Sequence, residues 1–178
     1  MRILYRVSQF WNTIAHKTDP GLLREAHGRL TPPQRRLFSC LQPSEQKHAL
    51  SMWRKLLDQG EDQPDLLVAS LLHDVGKLRY PMALWQRVLV VLANAIMPTQ
   101  ARQWGNGPLE NWHRLPSWRK AFIVAEQHPR WGAELAQQAG VSPLAVYLIR
   151  EHHHPCGQDV STMESSLLRR LWLVDNES

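Results

Sequence analysis

Residues 71–80 read LLHDVGKLRY, so that a histidine and an aspartate directly follow an apolar run. An apolar helix seldom ends by placing an imidazole beside a carboxylate, because both groups are costly to bury without partners. Imidazole nitrogen and carboxylate oxygen are ligands that Fe, Mn and Zn accept. His73 and Asp74 therefore predict a metal site whose remaining ligands lie elsewhere in the chain.

Further residues of the same types fall on the faces or at the ends of predicted helices. Each of them alone is typical of a structural or solvated side chain, and the signal lies in their joint order. A helical bundle can gather such residues in its core. Their separation is too wide for a zinc finger, and the two cysteines offer no competing thiolate set. The residues are His48, His128, His152, His153 and Asp175.

The order of His48, the His73-Asp74 pair and Asp175 resembles the HD superfamily of metal-dependent phosphohydrolases. The segment HDVGK resembles the central motif of that family, QKHALSMW its first-histidine helix, and LWLVDNES its last helix. The resemblance begins near His48 and runs to the end of the chain. It implies a single-domain helical bundle of the HD-domain type and a divalent metal site.

The additional histidines are similar to those of the HD-GYP branch, which builds a site for two or more metal ions. IREHHHP matches the double histidine of that branch, with His154 where a glutamate is usual. The loop that names the branch is absent, because the chain continues with PCGQDVSTM. Whether His154 or Cys156 also touches a metal stays open at this point.

The resemblance implies a dinuclear centre in which Asp74 bridges the ions, since a carboxylate offers two oxygens. Fe or Mn is expected, and Zn, Ni or Mg are the alternatives. Lys77, three residues after Asp74, is expected to contact a phosphoryl oxygen as a point charge; a solvated lysine is the alternative. The implied first set of ligands is His48, His73 and Asp175, and the implied second set is His128, His152 and His153.

The expected function is that of a metal-dependent phosphohydrolase, in which metal binding lowers the pKa of a water molecule that attacks phosphorus. The expected substrate is a small phosphorylated, nucleotide-like compound. A cyclic-dinucleotide phosphodiesterase with a divergent recognition loop is one alternative. A non-catalytic, metal-containing HD module that binds a ligand or a partner is the other.

The elements that must position these residues are all predicted to be helices. Proline and glycine divide the chain into helix-sized pieces, and no stretch alternates as a strand does. Gly60 is expected to end a helix over 45–59, and Pro98 to end an apolar helix over 82–97. Near the centre, a helix over 119–127 is expected to stop so that His128 begins another. The remaining helices are predicted over 129–139, 143–153 and 165–175.

Two segments depart from this pattern. Residues 1–40 are interpreted as an N-terminal amphipathic helical segment that precedes an HD domain over 41–178. Within the N-terminal segment, residues 1–16 carry an apolar stripe with basic residues beside it and are expected to pack on the domain; contact with a membrane surface is the alternative. Residues 99–118, rich in Gly, Pro and Trp, are interpreted as an irregular insertion or lid.

Composition sets the remaining limits. With 178 residues the chain suits one domain, and its net charge of +5 favours anionic ligands. The basic residues form no run interleaved with aromatics, so nucleic acid is not an expected partner. Two cysteines and the lack of a signal-peptide pattern suggest a cytoplasmic protein. The apolar run 88–97 is too short to span a bilayer and indicates a buried helix or an oligomer contact.

Overall fold

The computed structural model describes residues 19–106, 112–154 and 162–177, and these residues contain helices and no β-strand. The predicted all-α class is confirmed. The amphipathic segment at 1–16 and Cys156 lie outside the described residues. The helices are α1 (Pro20–Arg29), α2 (Pro32–Cys40), α3 (Pro43–Asp58), α4 (Pro64–Leu72), α5 (Leu84–Ile96), α6 (Pro98–Gly105), α7 (Ser117–Gln138), α8 (Pro143–Glu151) and α9 (Met163–Glu177).

Proline and glycine mark the helix ends as the sequence predicts. Six of these helices begin with proline, whose fixed φ suits the first turn and whose missing N–H would have no partner there. Gly60 and Gly140 follow the ends of α3 and α7 with φ of 79° and 70°, in the left-handed region that favours glycine. Among the described residues, none of the helices is both long enough and apolar enough to cross a membrane.

The larger hydrophobic cluster joins α1 to α4 with α8, α9 and the C-terminal half of α7. Residues 19–40 take part in it, because Ala26, Leu30 and Phe38 are buried there. The described portion of the N-terminal segment thus shares its core with the residues after 41. Burial of these side chains stabilises the packing of α1 and α2 on the bundle.

A second, smaller cluster joins α5, α6 and the N-terminal half of α7. It corrects the interpretation of 99–118 as irregular, since Pro98–Gly105 is helical and Trp112–Arg114 forms a 3₁₀ turn. Gly105 is the last residue of α6 and also a point of contact with α7. A Cβ atom on Gly105 would lie 2.7 Å from Glu126 Cβ, so α6 approaches α7 more closely than any side chain would permit.

Helix α7 connects the two clusters and corrects the predicted break at His128. It runs without interruption from Ser117 to Gln138 and contains Pro129. Proline removes one backbone N–H, so the carbonyl of Ala125 cannot receive its usual bond from residue 129. The Nδ1 atom of His128 lies 3.1 Å from that oxygen and takes the place of the missing donor. His128 therefore lies mid-helix, where α7 passes from one cluster to the other.

Candidate metal centre

The structure brings the seven predicted ligands together, although they are spread over three helices and the C-terminal ends of two others. His48 lies on α3, His73 caps the C-terminus of α4 with Asp74 next to it, and His152 caps the C-terminus of α8. Three overlapping groups have ligand atoms that all lie within 4.8 Å of one another: His128, His152 and His153; His48, His73 and Asp74; and His73, His152 and Asp175.

Asp74 lies between two sides of this centre. Its Oδ1 atom is 3.1 Å from His128 Nε2, and its Oδ2 atom is 3.5 Å from His73 Nε2. Lys77 Nζ lies 2.6 Å from Oδ2. Burial by itself would raise the pKa of Asp74, but opposing effects, of which the ammonium group of Lys77 is the largest, hold the pKa well below its usual value. The buried side chain is therefore an ionised carboxylate with one oxygen towards each side.

Asp175 closes the side of the centre that contains His48. Its Oδ1 atom lies 2.9 Å from His48 Nε2 and 3.8 Å from His73 Nε2. Burial would raise the pKa of Asp175, but the hydrogen bond with His48 and the proximity of His73 lower it overall. This side is more open than the Asp74 side, since the side chains of His48 and Asp175 are each 21% exposed.

In three of the histidines the Nδ1 atom contacts a backbone carbonyl oxygen, and this contact sets the tautomer. His73 Nδ1 lies 3.0 Å from Ser70 O, His152 Nδ1 lies 2.7 Å from Ile149 O, and His128 Nδ1 contacts Ala125 O and Val124 O. A carbonyl oxygen only accepts hydrogen bonds, so each Nδ1 must carry the proton. In the neutral form of each ring the Nε2 atom then has a free lone pair, which is the arrangement that backbone carbonyls impose on metal-binding histidines.

The Nε2 atoms of His128 and His152 are buried and have no hydrogen-bond partner among the described residues. The lone pair of His128 Nε2 also faces an ionised oxygen of Asp74 at 3.1 Å, which is repulsive without a cation between them. Burial lowers the pKa of His128 to about 4 and that of His152 to about 3. Because both rings are neutral at pH 7, a proton does not supply that cation, and a divalent metal ion fits the nitrogen and oxygen donors.

Two glycines allow the turn that carries Asp74 to reach α7. The chain after Asp74 forms a 3₁₀ turn over Val75–Arg79. A Cβ atom on Gly76 would lie 2.0 Å from His128 O, and one on Gly132 would lie 3.3 Å from His73 O. Neither position has room for a larger side chain without displacement of the backbone. The close approach brings Asp74 within reach of His128.

The remaining predicted residues occupy distinct places. His153 is exposed, and its ring centroid lies 4.4 Å from that of His152 and 4.6 Å from that of His128. His154 is exposed, is absent from the ligand groups of the described residues, and has Nδ1 3.8 Å from Glu151 Oε2. Lys77 is partly buried and paired with Asp74, and does not project into solvent from a helix end.

Sequence reasoning missed three contributors to the site: Gly132, Pro129 and the carbonyls that orient the histidines. Gly132 lies one helical turn after His128, and Gly76 lies two residues after Asp74. A pair of glycines, each close to a predicted ligand, is the sequence signal for close contact between the two backbones. Pro129 suggested a helix end, because proline usually stops a helix. The carbonyl contacts have no sequence signal, since every residue carries that group.

Comparison of the chain with protein-family models, with curated proteins and with solved structures gives no match.

Proposed function

We propose that the chain is a metal-dependent phosphohydrolase of the HD type, with a dinuclear centre that acts on a small phosphorylated, nucleotide-like substrate. The observation that supports this most strongly is the position of Asp74. Its two oxygens face different histidines, His128 on one side and His73 on the other, at 3.1 and 3.5 Å. A buried carboxylate in this position suits a ligand that bridges two cations.

The ligand sets of the proposal follow the resemblance described above. Fe or Mn is the expected metal, because imidazole and carboxylate donors suit these ions. When bound, two such ions would supply Lewis acidity and an activated water molecule at neutral pH. The first set is His48, His73 and Asp175, the second is His128, His152 and His153, and Asp74 belongs to both.

Charge in the centre favours an anionic substrate. Asp74 and Asp175 are the carboxylates among its seven ligands, and the neutral imidazoles add no charge. Two divalent ions therefore exceed the ligand charge, and Lys77 adds a further positive charge beside Asp74. A phosphate group compensates this excess, and Lys77 stabilises the charge that develops on the phosphoryl oxygens.

The test is a turnover assay of the full chain, loaded with Mn or Fe, on an aryl phosphate, an aryl phosphodiester and cyclic dinucleotides. We expect hydrolysis of the monoester and a loss of about a thousandfold in the Asp74→Asn variant. Asp58→Asn, the same change at an exposed carboxylate, serves as the matched control and should retain activity.

The other outcomes separate the alternatives. Turnover of diesters alone would replace the proposal with a cyclic-dinucleotide phosphodiesterase. Absence of turnover at full metal occupancy would replace it with a metal-containing binding module.

A further inference from the structure

The segment that builds the smaller hydrophobic cluster carries a surplus of positive charge. Residues 80–126 contain five Lys and Arg residues and two acidic residues, Glu110 and Glu126, a balance of +3. One of these cations, Arg87, pairs with Glu45. The other four have no ion pair in the part of the chain that the structure describes: Arg102, Arg114, Arg119 and Lys120.

Helix α5 presents an uncharged apolar face beside these cations. Its inner side packs on the smaller cluster through Val90 and Ala93. Its one charged residue, Arg87, is held by Glu45. Six of the ten large hydrophobic residues that are exposed in the described part of the chain lie on its outer side and C-terminal cap, a surface named here the α5 face: Leu84, Trp85, Val88, Leu92, Ile96 and Met97.

The exposures on the α5 face are large for a surface without a partner. Trp85 is 53% exposed and Ile96 is 69% exposed. Isolated apolar residues on a surface are ordinary, but a contiguous set along one helix indicates an interaction site. Trp118, at the start of α7, adds a further exposed tryptophan next to the helix, since Gln86 of α5 donates to Ser117 O at 2.8 Å.

We propose that the α5 face docks on the surface of an anionic lipid bilayer. The apolar side chains enter the boundary between headgroups and acyl chains, and Trp85 lies at headgroup depth. The exposed cations without an ion pair among the described residues, Arg102 and Arg114, attract the anionic headgroups. Helix α5 has 13 residues, about 20 Å in length, and lies in the interface plane because a bilayer core is about 30 Å thick.

The charge around the α5 face favours an anionic bilayer over a second copy of the chain as its partner. A second copy seated on the α5 face would bring the same basic region towards its equivalent, which is repulsive. An anionic bilayer brings the opposite charge and a continuous apolar layer. An anionic bilayer therefore uses both features of the surface, its uncharged face and its unpaired cations, whereas a second copy of the chain uses the first alone.

The test is cosedimentation of the full chain with vesicles of phosphatidylcholine and phosphatidylglycerol, compared with vesicles of phosphatidylcholine alone. We expect binding to the anionic vesicles that weakens as salt is raised. The double variant Trp85→Ser, Ile96→Ser should lower the vesicle affinity at least tenfold. The charge variant Arg102→Gln, Arg114→Gln, which leaves the apolar face intact, should lower it by a similar factor.

The matched controls remove one exposed apolar side chain and one exposed cation from α9, which packs in the larger cluster. Met163→Ser removes an exposed apolar side chain of α9, and Arg169→Gln removes an exposed cation of that helix; both should retain vesicle binding. The proposal is overturned if the full chain ignores anionic vesicles, or if both double variants bind them as the unaltered chain does. It is also overturned if the α5 variants convert a dimer into a monomer while vesicle binding is absent.

Discussion

Gly76 and Gly132 meet backbone to backbone. A Cβ atom on Gly76 would lie 2.6 Å from Gly132 N, and one on Gly132 would lie 3.2 Å from Gly76 N. Gly76 follows Asp74 by two residues, and Gly132 follows His128 by one helical turn. The contact therefore determines how far the Asp74 carboxylate lies from the His128 imidazole. The geometry of the proposed centre depends on glycine, which has no side chain, at both positions.

Replacement of Gly76 by alanine should separate these two elements. The added methyl group would lie 2.0 Å from His128 O, so the turn must move away from α7. We expect a loss of about 3 kcal/mol in the free energy of unfolding, measured by urea denaturation, and a lower metal content. Gly28→Ala is the control, because its Cβ meets nothing within 4 Å and alanine favours a helix. Equal stability of the two variants would contradict the close contact.

Replacement of Pro129 by alanine should separate helix stability from metal binding. The new N–H group can bond to Ala125 O and so displaces His128 Nδ1 from that oxygen. We expect the free energy of unfolding of the metal-free protein to rise by about 1 kcal/mol, while the affinity for metal falls about tenfold. The free energy of unfolding is measured by urea denaturation without metal, and the affinity by titration with Mn. Pro98→Ala, at the first residue of α6, is the control and should leave the affinity unchanged.

Replacement of Lys77 by glutamine should affect turnover more than metal binding. Its Nζ atom pairs with Asp74 Oδ2 and supplies the positive charge nearest to the proposed substrate position. We expect a fall of about a hundredfold in kcat/KM for an aryl phosphate, with metal content retained. Lys77→Arg keeps the charge and should restore part of the activity. If the Lys77→Gln protein fails to bind metal, the lysine only holds Asp74 in place and the prediction is wrong.

The metal-free protein should lose stability in mild acid. Burial lowers the pKa of His128 to about 4 and that of His152 to about 3, from the ordinary histidine value of 6.5. As pH falls below 6.5, the unfolded chain binds protons that the folded chain does not, so the free energy of unfolding falls until about pH 3. Urea denaturation at pH 7.5 and pH 5 measures this loss. His152→Gln should reduce the loss, whereas His113→Gln, at an exposed histidine, should not.

Much of the architecture could be predicted because proline and glycine act locally. The starts of α3 and α4 and the glycine after α3 follow from residues 43, 60 and 64 alone. The two errors have tertiary causes. Pro129 stays within α7 because His128 takes the free carbonyl, and Gly105 ends α6 in close contact with Glu126.

The candidate site could be predicted by residue type but not by geometry. His48 and Asp175 are 127 positions apart, and only their likeness to a family pattern linked them before their 2.9 Å contact was seen. The Nδ1 contacts of His73 and His152 depend on where α4 and α8 end, and that of His128 depends on the proline that follows it. The apolar face of α5 was expected to be buried or at an oligomer contact, and no sequence rule reveals which side of an apolar helix is exposed.

Metal content per chain tests the central claim most directly. The full chain, loaded with Mn or Fe, dialysed and analysed by elemental analysis, should hold two ions. Asp74→Asn should lose at least one of them, since it weakens the ligand shared by both sets, and Asp58→Asn should keep both. A full chain that holds no metal, or an Asp74→Asn variant that keeps two ions, would contradict the account.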